Sequence, residues 1–228
     1  MKSVAIFSGG LDSTVLLHEL LAAGDEVLAL SIDYGQRHRI ELDYARRTVE
    51  KLGIPWQRAD LSAIAPLLSG SSQTSQDIAV PHGHYAEETM KLTVVPNRNM
   101  IMLAVAGGWA IGVKAGCLAY GAHTGDHAIY PDCRPEFVAA MRNALSLADW
   151  HHLDLYCPFL HLDKAGIVAR GAELGVDFAS TYSCYEGGEI HCGACGTCVE
   201  RREAFQKAGV PDPTPYRETP EIKSPGQK

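Results

Sequence analysis

The first 24 residues place a short apolar run, a glycine-rich turn and a helical pattern directly after one another. Residues 4–7 are apolar and lead into Ser-Gly-Gly, and apolar side chains then recur at helical spacing over residues 13–21. Gly24 follows, as glycine often does where a helix ends. A strand that passes through a tight turn into a helix is the repeating unit of α/β proteins. The chain is therefore expected to start with a β-loop-α unit.

The alternation of strand and helix patterns continues along the chain. The predicted strands are residues 4–7, 27–33, 54–60, 117–120 and 155–159, and the predicted helices are residues 13–21, 40–52, 97–114, 135–148 and 164–174. Strands that alternate with helices form a parallel sheet with helices on both faces. We therefore predict an α/β fold with a doubly wound, mainly five-stranded parallel sheet.

Three segments depart from this alternation and define the predicted domain organisation. Residues 62–93 have no periodic pattern, and we predict a long loop and a candidate lid within an α/β domain of residues 1–180. Residues 181–208 form a predicted cysteine-rich segment packed on that domain. Residues 209–228 are a proline-rich tail, which is expected to be irregular and partly mobile.

Composition narrows the range of functions. The 228 residues are 46% hydrophobic and 21% charged, as is usual for a globular protein, and the formal net charge is -7. An acidic chain lacks the positive field that binding to a phosphate backbone needs, so a small-molecule substrate is favoured and no nucleic-acid partner is expected. With no cleavable leader pattern and no apolar stretch of membrane length, the sequence predicts a cytoplasmic protein without membrane contact.

The hexapeptide Ser-Gly-Gly-Leu-Asp-Ser at residues 8–13 lies where backbone N–H groups and the positive end of a helix dipole meet, which suits an anion. It matches neither the Walker nor the dinucleotide pattern, and it resembles the pyrophosphate loop of the N-type ATP pyrophosphatases. The predicted ATP-binding residues are Ser8, Gly9, Gly10, Leu11, Asp12, Ser13 and Thr14. Asp12 is expected to order loop amides or to meet a magnesium ion carried by ATP. A tight turn without a ligand is the alternative.

Four of the seven cysteines are crowded near the C-terminus. Cys184, Cys192, Cys195 and Cys198 have the spacing Cys-x7-Cys-x2-Cys-x2-Cys, with glycines that let the backbone turn four thiolates toward one centre. Four sulfur ligands suit one closed, tetrahedral and structural zinc ion. An iron–sulfur cluster and buried free thiols are the alternatives. His191 adjoins the motif, but four sulfurs already fill the coordination shell.

Basic side chains stand where predicted strands end or helices begin. Arg37 follows the second strand, Arg98 starts a helix, and Lys164 starts the last predicted helix. Open α/β sheets bind ligands at the carboxyl ends of their strands, so these three are candidate catalytic residues that stabilise negative charge. For Arg37 and Lys164 a solvated surface side chain is the alternative.

The stretch after the fourth predicted strand combines carboxylates with an aromatic ring. It contains Asp126, Tyr130, Asp132 and Arg134. A carboxylate accepts hydrogen bonds from adjacent N–H groups and a ring stacks on a base, so these four are the predicted substrate-binding residues for a guanine-like base. A surface turn with ordinary capping residues is the alternative.

Six motifs together are similar to those of the 7-cyano-7-deazaguanine synthase family, in the N-type ATP pyrophosphatase (PP-loop) superfamily. They are residues 8–13, 33–38 with Glu41, 95–99, 130–134, 183–185, and 192–198 with Arg201. The resemblance covers the whole chain and implies an adenine nucleotide α-hydrolase-like fold with a C-terminal zinc-binding segment. It implies an ATP-dependent carbon–nitrogen ligase that converts 7-carboxy-7-deazaguanine and ammonia to 7-cyano-7-deazaguanine in queuosine biosynthesis.

The resemblance also sets expectations for partners and leaves two other functions open. The expected partners are ATP with Mg²⁺, ammonia and 7-carboxy-7-deazaguanine, and free ammonia or a partner enzyme is expected to supply the nitrogen. A homodimer is the default expectation for the oligomeric state. One alternative is a PP-loop tRNA-modifying thiolase, which needs a catalytic cysteine pair and a basic RNA surface. The other is a zinc-containing adenine-nucleotide sensor without turnover.

Overall fold

The computed structural model describes residues 1–84 and 88–221. Its strands are β1 (Lys2–Ile6), β2 (Glu26–Asp33), β3 (Trp56–Asp60), β4 (Cys117–Ala119) and β5 (Asp154–Tyr156), and its α-helices are α1 (Leu11–Ala22), α2 (Glu41–Leu52), α3 (Arg98–Gly112), α4 (Pro135–Ser146), α5 (Lys164–Glu173) and α6 (Gly196–Ala208). Every predicted strand and helix is present, with ends shifted by a few residues. None of the helices in these ranges has the length and apolar character needed to cross a bilayer.

The described strands form one parallel sheet in the order β3-β2-β1-β4-β5. The central strand is β1, in which Ala5 pairs with Ala29 of β2 on one side and with Ala119 of β4 on the other. Strands β2 and β3 follow outward from β1 on one side, and β4 and β5 on the other. This order confirms the predicted doubly wound, five-stranded α/β fold.

Helices cover both faces of the sheet. The consecutive residues Val4 and Ala5 are both fully buried, Val4 in a core shared with α3 and α4, and Ala5 in a core shared with α1 and α5. A strand that is buried on both faces has no polar alternation, which explains the continuous apolar run at the start of the sequence. With both faces covered, the carboxyl ends of the strands remain open for a site.

The segment between β3 and α3 is packed against the domain. Its short 3-10 helices are Ser62–Leu68 and Glu88–Thr93. Residues 71–73 between them are fully buried. The Arg37 N–H donates to the Gln73 carbonyl at 2.7 Å and ties the segment to the loop after β2. Its described residues contain no α-helix or strand, as predicted; residues 85–87 lie outside the described part, and a lid motion stays a prediction.

Helix α6 is absent from the helices that the sequence pattern predicts. Its buried side chains include the charged residues Glu200 and Arg201 as well as Val199 and Phe205. A helix that buries charged side chains as well as apolar ones has weak hydrophobic periodicity, so no apolar stripe identifies it. The helix packs on α5 and anchors the cysteine-rich segment to the α/β domain.

The C-terminal tail is held against the cysteine-rich segment up to residue 218. The N–H groups of Arg217 and Glu218 donate to the carbonyls of His191 and Cys192 at 2.8 and 3.2 Å. These hydrogen bonds fix the first half of a tail that was expected to be partly mobile. The remaining tail residues 222–228 lie outside the described part of the chain.

Candidate functional site

A cavity of about 220 Å³ opens where β1, β2 and β4 end. It is lined by residues that follow β1 (Ser8), β2 (Tyr34) and β4 (Tyr120 and Gly121). From β1 and β4 the chain continues toward opposite edges of the sheet. The cavity therefore lies at the topological switch point, where open α/β sheets bind their ligands.

The turn after β1 depends on a glycine that packs against α2. Gly9 has a φ of +82°, and a Cβ atom there would lie 2.6 Å from the Glu41 carbonyl oxygen and from the Ala45 nitrogen. No other residue fits this conformation and this close approach. Gly9 does not line the cavity, so its role is to let the loop sit against α2.

Hydroxyl groups hold the rest of the loop in shape. Ser13 Oγ accepts from the Ser8 N–H at 3.3 Å and donates to the Gly10 carbonyl at 3.1 Å, and the buried Thr14 donates to the same carbonyl at 2.8 Å. The predicted ATP-binding residues that line the cavity are Ser8, Gly10, Leu11, Asp12 and Ser13. Thr14, like Gly9, supports the loop from behind.

Lys164, the first residue of α5, forms an ion pair with the loop. Its Nζ lies 2.6 Å from Asp12 Oδ2 and 3.5 Å from Glu200 Oε2. His123 Nε2 is 3.3 Å from the same Nζ. Although burial opposes the charge, the two carboxylates raise the pKa of Lys164 above its usual value. The structure thus places the predicted cation beside the loop after β1, in an ion pair with Asp12.

Arg98 lies between two aromatic rings of the cavity wall. Its guanidinium carbon is 5.9 Å from the ring centre of Tyr34 and 5.7 Å from that of Tyr130. In the described ranges no carboxylate lies within ion-pair distance of it, although Glu41 is near enough that the Arg98 charge partly offsets the burial that raises the pKa of Glu41. Asn97, in a left-handed conformation with a φ of 58°, turns the chain so that α3 starts at Arg98. A cation that is held between rings and makes no direct ion pair is suited to bind an anionic ligand.

Two of the four predicted base-reading residues line the cavity. These are Asp126 and Tyr130. The Tyr130 hydroxyl lies 2.6 Å from Thr93 Oγ1 and 3.3 Å from the Tyr185 hydroxyl. These contacts fix the Tyr130 ring in the cavity wall.

The other two predicted base-reading residues have structural contacts instead. Asp132 Oδ2 accepts from the Asn99 N–H at 3.1 Å, at the start of α3. Arg134 is exposed, and its Nε donates to the His127 carbonyl at 2.9 Å. Neither lines the cavity. The assignment of Asp132 and Arg134 to substrate binding stays a prediction, and the contacts that the structure gives for the two side chains are to the Asn99 N–H and the His127 carbonyl.

Arg37 is also turned away from the cavity. Its Nη2 donates to the carbonyls of Ser75 and Ile78 at 2.6 and 2.9 Å. These contacts fasten the segment between β3 and α3. In this structure the guanidinium of Arg37 therefore supports the loop, and a catalytic role for Arg37 stays a prediction.

Glu41 and His38, which belong to one of the family motifs but are not among the predicted site residues, also line the cavity. Glu41 Oε1 accepts from Gln36 Nε2 at 2.9 Å, and Oε2 lies 3.7 Å from His38 Nε2. Burial raises the pKa of Glu41 to about 7 and lowers the pKa of His38 to about 3. His38 is therefore neutral near pH 7 and provides no counter-charge for Glu41.

Gln73 and Glu200 also line the cavity, although neither is among the predicted site residues. Gln73 is fully buried, and its Oε1 lies 3.5 Å from the Tyr34 hydroxyl. Glu200 is delivered by α6, and burial raises its pKa. In the sequence, a role for Glu200 is indicated only by its position two residues after Cys198. Gln73 has no such indication, because its segment shows no periodicity.

The four clustered cysteines fit a tetrahedral metal ion. Their Sγ atoms all lie within 4.8 Å of one another, and those of Cys192 and Cys198 are 3.9 Å apart. A zinc–sulfur bond of about 2.3 Å puts tetrahedral ligands about 3.8 Å apart. The N–H groups of Cys192 and Cys195 donate to the sulfur atoms of Cys184 and Cys192 at 3.3 and 3.2 Å, as suits thiolates. All four thiols are buried and free of disulfide bonds.

The cysteine cluster is continuous with the cavity through α6. This helix begins directly after Cys195 and carries both Glu200 and Arg201. Arg201 is fully buried and donates to Thr181 Oγ1 at 2.7 Å and to the Phe178 carbonyl at 3.0 Å. A metal ion in the cluster would therefore fix the helix that supplies one wall of the cavity.

The fold and the loop after β1 together define the class of protein. A doubly wound parallel sheet with Ser-Gly-Gly-Leu-Asp-Ser at its switch point is the arrangement of the adenine nucleotide α-hydrolase-like, PP-loop proteins. Among solved structures, a predicted subunit of a tRNA methyltransferase from Methanocaldococcus jannaschii has a similar fold, with a TM-score of 0.50 and 15% identity over 97% of this chain and 94% of that chain.

Sequence comparison identifies the family. The profile of the family described as "Queuosine biosynthesis protein QueC" matches residues 2–209, so this chain belongs to the QueC family, as its motifs predict. A 7-cyano-7-deazaguanine synthase from Methanoregula boonei is 54% identical over 216 residues, which are 95% of this chain and 99% of that protein. The synthase from Ruegeria pomeroyi is 54% identical over 218 residues, which are 95% of this chain and 94% of that protein.

Proposed function

We propose that this chain is an ATP-dependent 7-cyano-7-deazaguanine synthase that converts 7-carboxy-7-deazaguanine and ammonia to the nitrile in queuosine biosynthesis. The observation that carries the proposal is the cavity, in which the phosphate loop, Lys164 and Arg98 line one space. An ATP phosphate and an anionic acceptor both find positive groups there. The 54% identity to synthases over nearly the whole chain supports the same reaction.

The chemistry requires two activations of the substrate. A carboxylate oxygen is a poor leaving group, so ATP must first convert it to an acyl phosphate or adenylate that ammonia displaces to give an amide. The amide oxygen must then be activated in the same way, and its loss leaves the nitrile. Attack on the α-phosphate would release AMP and pyrophosphate, and attack on the γ-phosphate would release ADP and phosphate. Water has to be excluded, because hydrolysis of the activated acid competes with ammonia.

We propose a separate role for each group of residues that lines the cavity. Ser8, Gly10 and Ser13 are proposed to donate hydrogen bonds to the phosphates of ATP, whose magnesium ion arrives with it. Lys164 is proposed to neutralise the charge that develops on the transferred group. Asp12 holds the Lys164 ammonium in place until ATP binds. Arg98 is proposed to bind the anionic acceptor.

The four cysteines are proposed to hold one zinc ion. Four sulfur ligands leave no open position for water, so the ion would supply a structural cross-link rather than catalysis. This role is supported by the contact between the cluster and α6, which carries Glu200 to the cavity wall. A cytoplasmic location and a homodimer complete the proposal as expectations from the sequence.

The thiolase alternative is disfavoured by the remaining cysteines. Burial raises the pKa of Cys117 to about 11 and that of Cys157 to about 12, and Cys133 is also shifted upward by burial. A sulfur-transfer mechanism needs a reactive thiolate. The thiols of Cys117, Cys133 and Cys157 would therefore remain protonated near pH 7.

The proposal is tested by incubating the zinc-loaded protein with magnesium-ATP, ammonium and 7-carboxy-7-deazaguanine. Mass spectrometry of the base and of the nucleotides should show the nitrile, and the nucleotide product identifies the phosphate that is attacked. Reactions that lack ammonium or ATP are the controls and should give no nitrile. An unchanged base, with folded protein that binds ATP, would contradict the proposal and favour a nucleotide sensor.

A further inference from the structure

Three polar groups of the cavity wall lack the partners that such groups normally have. Glu41 Oε2 has no hydrogen-bond donor within reach in the described part of the chain, since His38 Nε2 stays at 3.7 Å. The buried Gln73 Nε2 has no partner among the described residues. Arg98, which is half-buried between aromatic rings, has no carboxylate within ion-pair distance in the same ranges. Buried polar groups are nearly always hydrogen-bonded, so the unpartnered Gln73 Nε2 points to a ligand, and Glu41 Oε2 and Arg98 face the same cavity with binding capacity to spare.

The three groups converge on Tyr34, at the end of β2. The Tyr34 hydroxyl lies 3.5 Å from both Gln73 Oε1 and Arg98 Nη1. The Tyr34 N–H donates to Gln36 Oε1 at 2.9 Å, and Gln36 Nε2 in turn donates to Glu41. Glu41, Gln73 and Arg98 come from three separate elements, and all of them line the cavity. They form one subsite, which we name the Tyr34 subsite.

The chemistry of the Tyr34 subsite combines an acceptor, a donor and a cation. A carboxylate accepts from two adjacent N–H groups, and an amide N–H donates to a carbonyl oxygen. A guanidinium binds a carboxylate, and aromatic rings pack on the face of a base. An aminopyrimidinone ring presents adjacent N–H donors beside a carbonyl oxygen on one edge. A ligand that combines such an edge with a separate carboxylate would satisfy all three groups.

We propose that Glu41, Gln73 and Arg98 bind the acceptor base, with Glu41 and Gln73 on its aminopyrimidinone edge and Arg98 on its carboxylate. This assignment rests on the proposed function and adds the residues that select the substrate. It replaces Asp132 and Arg134, which the structure places outside the cavity. Arg98 thereby binds the carboxylate, and the acidic Glu41 and the neutral Gln73 bind the ring edge that carries the N–H donors and the carbonyl oxygen.

Two probes separate the two halves of the subsite. The first is 7-carboxy-7-deazaguanine, and the second is 7-deazaguanine, which has the same ring edge but no carboxylate. Binding is measured by calorimetry in the presence of a non-hydrolysable ATP analogue, so that the readout does not depend on turnover. The variants are Glu41→Gln, Gln73→Met and Arg98→Met. The matched control is Glu50→Gln, which removes an exposed carboxylate from the same helix.

The expected pattern is specific to each residue. Glu41→Gln and Gln73→Met should weaken both probes about 10- to 100-fold, because each removes part of the edge recognition. Arg98→Met should weaken the carboxylated probe by a similar factor and leave 7-deazaguanine unchanged. Glu50→Gln should bind both probes as the unmodified protein does. In steady state, the KM for the base should rise in the three variants while the KM for ATP stays within about twofold.

Failure of the subsite and failure of the function give different results. A protein that forms the nitrile, but whose Glu41 and Gln73 variants bind both probes normally, would overturn the subsite alone. A rise in the KM for ATP instead of the base would also overturn it, because the subsite would then hold the nucleotide. A fall in kcat with unchanged binding of both probes in Glu41→Gln would overturn recognition in favour of proton transfer. The predicted binding pattern without nitrile formation would contradict the proposed function and leave the subsite standing.

Discussion

The cavity at the carboxyl ends of the strands contains buried polar groups without partners, whereas the cysteine cluster closes on itself. In the cavity, Glu41 is a buried carboxylate beside a neutral histidine, and Gln73 Nε2 has no partner among the described residues. In the cluster, all four thiols are buried and lie within 4.8 Å of one another. The cavity is therefore suited to reversible binding of a ligand, and the cysteine cluster to permanent binding of a metal ion.

The difference has an energetic consequence. A buried polar group that waits for a ligand destabilises the free protein, because it has left water without gaining a partner. A closed metal site does the opposite, because the energy of metal binding becomes energy of folding. Substitutions in the cluster should therefore reduce stability, while some substitutions in the cavity should increase stability and impair function.

The largest effect is expected for Cys195→Ser. Loss of one sulfur ligand should abolish stoichiometric zinc binding and lower the free energy of unfolding by more than about 3 kcal/mol, since α6 and the tail depend on the cluster. Metal analysis and urea unfolding measure both quantities. Cys117→Ser, at a buried cysteine outside the cluster, is the control and should retain zinc. If Cys195→Ser still bound one equivalent of zinc, the cysteine cluster would not be the metal site, and its proposed difference from the cavity would be wrong.

The next effect concerns the cation of the phosphate loop. Lys164→Met should lower kcat about 100- to 1,000-fold, because it removes preorganised positive charge from the transferred group. Lys164→Arg keeps the charge and should recover part of the rate. Nitrile formation is measured at saturating ATP and ammonium, with thermal unfolding to verify the fold. A kcat within tenfold of the unmodified value in Lys164→Met would show that the ion pair with Asp12 is structural.

A third test uses two glycines with similar backbone conformations. Gly9 has a φ of +82° and contacts α2 backbone, whereas Gly24 has a φ of +78° and open space around it. Gly24→Ala should cost about 1 kcal/mol of backbone strain, and Gly9→Ala at least about 2 kcal/mol more, because its methyl group would overlap α2. Urea unfolding measures the difference, and ATP binding should weaken in Gly9→Ala only. Equal losses at both positions would mean that the loop moves freely relative to α2.

The smallest effect is expected to be a gain in stability. Burial raises the pKa of Glu41 from its ordinary 4.5 to about 7, so the free protein binds more protons than the unfolded chain between these values. The contribution of Glu41 to stability is thus greatest below pH 4.5 and is lost as the pH rises through 7. A shift of this size corresponds to at most about 3 kcal/mol at pH 8.

Glu41→Gln should remove this cost. Its unfolding free energy relative to the unmodified protein should rise by about 1 to 3 kcal/mol between pH 5 and pH 8. The charged groups that face Glu41 are Arg98 and Asp33, and they are common to both proteins, as is the neutral His38. Urea unfolding at the two pH values measures the change. A variant that is less stable at pH 8 would show that Glu41 supports the fold and is not held ready for a ligand.

The predictions that agree best with the structure are those made from residues close together in the sequence. Five strands, five of the six described α-helices and the cysteine cluster follow from residues that are near one another in the chain. The sequence pattern does not predict helix α6. This helix buries the charged residues Glu200 and Arg201, so its buried positions do not form a periodic apolar pattern. The predicted strand at residues 155–159 is shorter in the structure, where β5 ends at Tyr156.

The site residues divide in the same way. The phosphate loop lies at the cavity because a strand and a helix on either side of it fix its position. Arg37 and Asp132 stand in equally suggestive motifs, yet their side chains turn to the carbonyls of Ser75 and Ile78 and to the N–H of Asn99. A motif gives the position of a residue in the chain, while the direction of its side chain depends on what packs around it.

The sequence by itself determined the order of strands and helices, the phosphate loop and the cysteine cluster, because these depend on hydrophobic period, glycine and ligand spacing over short stretches. Only the tertiary structure decided that Lys164 meets Asp12, 152 residues away, and that Gln73 and Glu200 reach the same cavity. The physical reason is that burial and pairing are properties of contacts between distant segments. No local pattern records these contacts until the sheet has brought the segments together.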